Sequence, residues 1–127
     1  MITWHKIAED YPKAFSLWWS WIKQNGELSE YDVECLENQV MFGEFKHLMC
    51  CNIGTLYEFF DLQRIAVCID LDLQGYEKQE QKYGYKVVDY KKTLIKKTWY
   101  NYETRVECEK SAFVIAFQLL EKRENLS

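Results

Sequence analysis

Hydrophobic positions along this chain change period twice, and the changes divide it into helical and extended parts. From Thr3 to about Gln24 they recur at helical spacing: Trp4, Ile7, Ala8 and Tyr11 share one face, and Phe15, Trp18, Trp19 and Ile22 continue the three-and-four rhythm. Pro12 fits a first turn but not a helix interior, so it restarts or bends the helix, and Asn25-Gly26 supplies the stop. Trp21 lies off the stripe, either at the edge of the core or on a contact surface. Residues 27 to 46 show no sustained period and read as a linking segment with a helical turn or a short strand at most. Helical spacing returns from Lys46 to Leu62, through Met49, Ile53, Leu56 and Phe60, with Gly54 as an interior glycine that suggests close helix packing.

The period then drops to two. Ile65, Val67, Ile69, Leu71 and Leu73 alternate with Ala66, Cys68, Asp70, Asp72 and Gln74, which predicts a strand with one buried face. Tyr83 to Tyr90 and Thr93 to Tyr100 are rich in β-branched and aromatic residues, with a turn expected over Asp89 to Lys92. Thr104 and Glu107 form a capping-box pattern ahead of a helix carrying Phe113, Ala116, Phe117 and Leu120 on one stripe. The order predicts an α+β fold: N-terminal helices, a three-stranded antiparallel β-meander, and a C-terminal helix packed on the sheet in two layers. A chain of 127 residues suits one globular domain, with a mainly helical part over 1 to 62, a β-β-β-α part over 63 to 122 and a frayed tail over 123 to 127.

Charge is uneven. Residues 1 to 75 carry a net −7, residues 76 to 102 a net +4 and residues 103 to 127 a net −1, so a basic island sits in an acidic chain. Five cysteines without a C-x-x-C pair, and no charged start leading into an apolar run, suggest free thiols in a cytoplasmic protein. The most apolar stretch, Phe15 to Ile22, falls far short of the ~20 residues that cross a bilayer, so no membrane association is expected.

Three segments, Y-P-K-A-F at 11 to 15, L-Y-E-F-F-D at 56 to 61 and T-R-V-E-C-E-K-S-A-F-V-I-A-F-Q-L-L-E at 104 to 121, resemble short uncharacterised proteins of phages, prophages and mobile elements of Bacteroidota-type bacteria. The resemblance covers under a third of the chain, implies a phage-type context and brings no site residues with it. The predicted α-β-β-β-α order from residue 46 onward is also similar to that of double-stranded RNA-binding domains. Those domains place a lysine cluster at the start of the last helix, where this chain has Arg105, Glu107, Glu109 and Lys110.

The side chains present few chemical candidates. Lys86, Lys91, Lys92, Lys96 and Lys97, interleaved with Tyr90, Trp99, Tyr100 and Tyr102, have the make-up of a phosphate-contacting or protein-binding surface; the plainer reading is a solvated hairpin whose lysines discourage edge pairing. Asp61, Asp70 and Asp72 are the carboxylates nearest to a cation-binding pattern, although alternation turns the last two to water. His47, Cys50 and Cys51 are the one cluster of soft ligands, but adjacent residues on a helix diverge by about 100° and seldom share an ion. Cys68 and Cys108 are expected where small apolar residues would fit. Neither His5 nor His47 sits in a hydrolase motif, and no glycine-rich phosphate loop is present. These features favour a non-catalytic protein without cofactor or metal that binds a host or phage protein, with Trp21, Lys91, Lys92, Lys96, Lys97, Trp99 and Tyr100 as its contact residues. Self-association would use the same aromatic surplus. The alternative is a nucleic-acid-binding module built on the basic hairpin.

Overall fold

The computed structural model describes residues 3–25, 34, 37–38, 53–72, 82–98 and 100–126. Nearly all of the linking segment expected over 27 to 46, the start of the helix expected from Lys46, and His47, Cys50, Cys51 and Trp99 lie outside them. The elements are α1 (Trp4–Asp10), α2 (Pro12–Asn25), α3 (Ile53–Leu62), β1 (Ile65–Leu71), β2 (Tyr83–Asp89), β3 (Leu94–Lys97) and α4 (Arg105–Asn125). This is the α+β order that the periodicity predicts, with the C-terminal helix packed on a three-stranded antiparallel sheet. The chain forms two compact units, one of residues 1–59 with 117–127 and one of residues 60–116, so α4 contributes its first half to one and its second half to the other.

In the first unit, Thr3 caps α1 by accepting from Lys6 N–H at 3.1 Å. The break between α1 and α2 falls at Tyr11, whose N–H closes α1 on Ile7 O at 2.9 Å while its carbonyl accepts Phe15 N–H at 2.9 Å. Pro12 then occupies the first position of α2, where a missing N–H costs nothing. The next two amides are held from far along the chain: buried Glu121 accepts from Lys13 N–H at 3.3 Å and from Ala14 N–H at 2.8 Å. A carboxylate there satisfies two orphan donors and faces the positive end of the helix dipole. The core beside it is aromatic. Trp4 and Trp18 stack at 4.6 Å and 11°, and Phe117 stands edge-on to both at 6.3 and 6.5 Å. Ile7, Ala14, Ile22, Leu56, Phe59 and Leu120 are buried in the same unit.

In the second unit, β1 pairs β2 from Ile65↔Asp89 to Leu71↔Tyr83, and β2 pairs β3 from Lys86↔Lys97 to Asp89↔Leu94. Ile65, Val67 and Val87 share the buried face, together with Cys108, Ala112 and Phe113 of α4, and Phe60 stacks on Phe113 at 5.9 Å. Thr104 Oγ1 accepts Glu107 N–H at 3.2 Å, as the capping pattern predicts; the Glu107 carboxylate does not reach back but pairs forward with Lys110 Nζ at 3.0 Å. Burial along α4, from Cys108 to Arg123, spans about 220° of its circumference at 100° per residue, much wider than the predicted stripe.

Two expectations are corrected. Gly54 lies in the first turn of α3 and is exposed, so it reflects no close helix packing. Cys68 is exposed as well, because its register places it on the face opposite to Ile65 and Val67; only Cys108 takes the buried apolar position.

Candidate interaction surface

The β2–β3 hairpin gathers the basic island. Its turn is set locally: the Asp89 side chain, itself buried, accepts Lys91 N–H at 3.1 Å, and Thr93 takes a positive φ of 52° before β3 begins. The turn therefore runs one residue later than the expected Asp89 to Lys92, and β3 is shorter than Thr93 to Tyr100. A second positive φ, 62° at Arg64, lets the Arg64 carbonyl accept Tyr90 N–H at 3.0 Å and ties the turn to the start of β1.

Cross-strand partners share a face, so the register sorts the side chains. Val87 and Lys96 lie on the face that carries Ile65 and Val67. Lys86 and Lys97, Val88 and Ile95, and Cys68 lie on the other. Lys86, Lys91, Lys92, Lys96 and Lys97 are all exposed, and Lys86, Lys91, Lys92 and Lys96 take part in no ion pair among the described residues. Between them sit large apolar groups in water: Tyr90 is 65% exposed and Ile95 56%.

Of the predicted contact residues, Lys91, Lys92, Lys96, Lys97 and Tyr100 thus belong to the second unit and are exposed, while Trp99 lies outside the described residues. Trp21 belongs to the first unit and is half-buried, with its ring 5.7 Å from that of Phe59. Tyr102 does not join the exposed surface. It is half-buried, bridges to Tyr83 and packs its ring 6.1 Å from that of Tyr85, whose hydroxyl is pushed above its ordinary range by burial and then by Tyr102. Ile95 is the surface residue that composition misses; its signal is an aliphatic side chain on a short, lysine-flanked edge strand.

The other candidates stay apart. No group of three His, Cys, Asp or Glu side chains among the described residues is arranged to hold a metal ion. His5 pairs with Glu9 at 3.1 Å on the exposed side of α1. Burial, then Glu109 and Asp70, push the Cys108 thiol up to about 11, which leaves it protonated and unreactive. A groove of about 440 Å³ along α2, lined by Pro12, Lys13, Ser16, Leu17, Ser20 and Glu124, is wide open to solvent. Among the described residues no helix is long and apolar enough to cross a membrane. Comparison with family models, curated proteins and solved structures finds no match for the chain.

Proposed function

We propose that this chain is a small accessory protein of phage or prophage type that works in the host cytoplasm by binding another protein through its β2–β3 hairpin, without catalysis. The observation that carries this reading is the joint exposure of Tyr90 and Ile95 on a hairpin whose Lys86, Lys91, Lys92 and Lys96 make no ion pair within the described residues. Large apolar groups in water, ringed by cations, are costly to leave uncovered and have the make-up of an interface. The phage context rests on the three segments that resemble phage-encoded proteins. Affinity capture of the tagged protein from lysate of its source cell, divided into nuclease-treated and untreated halves, tests the reading. A stoichiometric protein recovered from both halves, and lost with Tyr90→Ala and Ile95→Asp, is the expected result.

A second reading has one specific observation in its favour. The order α3, β1, β2, β3, α4 with an antiparallel meander is that of double-stranded RNA-binding domains, and the hairpin lysines offer phosphate contacts. Against it, the first turn of α4 holds the exposed Glu107 where phosphate would have to approach. Capture of nuclease-sensitive material alone would replace the first reading with this one.

A further inference from the structure

The exposed lysines surround an edge. Lys96 projects on the face shared with Val87, Lys86 on the opposite face, and Lys91 and Lys92 sit on the turn at the end of β3. Among the described residues β3 pairs with β2 alone and forms the outer strand of the sheet. Thr98 N–H donates to Tyr85 O at 3.0 Å. By the alternation of antiparallel ladders, Lys96 therefore bonds inward to Val87, and Ile95 turns its N–H and C=O away from β2. An exposed apolar side chain of the strand thus coincides with outward-facing backbone groups.

Resting on the protein-binding reading, we infer that the partner of this hairpin is an extended acidic segment of a protein, which adds along the outer edge of β3. A strand placed there sets one residue opposite Ile95, on the Val88 face, and turns that residue's two neighbours to the face of Lys96. The matching pattern is acidic-apolar-acidic: an apolar side chain against Ile95, and carboxylates reaching Lys96 and the Lys91–Lys92 turn. Charge complementarity selects this occupant over a nucleic acid. The net +4 of residues 76 to 102 is local in a chain of net charge −4, which lacks the broad positive field that draws a long polyanion, whereas a short acidic segment matches the extent of the basic island.

The test titrates three labelled probes into the full chain: a peptide of alternating Glu and Val, its Gln and Val counterpart, and a short RNA duplex. The Glu peptide is expected to bind, to weaken with added salt, to lose about tenfold or more in K91E/K92E/K96E, and to be unaffected by K122E on the first unit. Circular dichroism of each variant separates lost binding from lost folding, and a variant that fails to fold is replaced by its Lys→Gln form. Equal binding of the Gln peptide would overturn the acidic partner and leave the hairpin as a protein-binding surface. Lysine-dependent RNA binding tighter than that of either peptide would overturn both. Failure of all three probes to bind would overturn the acidic segment.

Discussion

Removing the Glu121 carboxylate should destabilise the first unit from a position 107 residues away in sequence. The side chain is 8% exposed and holds two amides in the first turn of α2, at 2.8 and 3.3 Å. Hydrogen bonds to a charged group contribute about 1.5–3 kcal/mol, and a buried donor left unmatched costs a similar amount. A partly buried charge at a helix end adds up to ~2 kcal/mol, and these terms overlap because one carboxylate supplies both. Glu121→Ala should therefore cost roughly 2–4 kcal/mol, and Glu121→Gln, which keeps one acceptor and loses the charge, about 1–2. For a chain of this size each kcal/mol lowers Tm by roughly 3–5 °C, so the two variants should be well resolved by calorimetry. Amide exchange gives a local reading: Ala14 N–H should exchange faster in Glu121→Ala, with the Glu107 amide at the Thr104 cap as internal control. A loss below about 0.5 kcal/mol for Glu121→Ala, or a Gln variant worse than Ala, would refute the capping argument.

Trp18→Ala should cost about 3–5 kcal/mol, since it deletes a fully buried ring stacked on Trp4, and chemical denaturation followed by near-UV circular dichroism will measure it. Thr104→Ala removes the cap on Glu107 N–H and should cost about 1 kcal/mol by the same denaturation assay, with Thr104→Ser close to the parent. The Cys108 thiol is raised from 9.0 to about 11 in the folded chain, so its contribution is complete below pH 9 and is lost as pH rises towards 11. Tm measured across that window should fall by the equivalent of roughly 2–3 kcal/mol more in the parent than in Cys108→Ala. With a thiol reagent Cys68 should react at once and Cys108 only on unfolding, as mass spectrometry of the labelled chain will show.

Elements whose signals are local were legible in the sequence. The alternation from Ile65 to Leu71, the cap at Thr104, the break at Pro12 and the stripe from Phe113 to Leu120 each depend on residues within a few positions of one another. Cys68 shows two local rules in conflict: residue type suggested burial, alternation assigned the solvent face, and the register follows alternation because one face of β1 must meet the core. The Glu121 contact had no local signal beyond a charged residue directly after Leu119 and Leu120, since its partners are backbone amides on another helix. The hairpin surface was half legible. The lysines and Tyr90 follow from composition, but the outward turn of Ile95 depends on which β3 residues bond to β2, and only the ladder decides that.

The hold of Glu121 on α2 also bears on how the protein is made. Ribosomes add about 5–20 residues per second, so roughly 5–20 s separate the synthesis of Ala14 from that of the carboxylate that completes its helix. Phe117, which closes the Trp4–Trp18 stack, arrives equally late. Through that interval the N-terminal tryptophans have neither their lid nor a finished helix beneath them. The first segment of the nascent chain should therefore acquire protease resistance only after α4 has been synthesised.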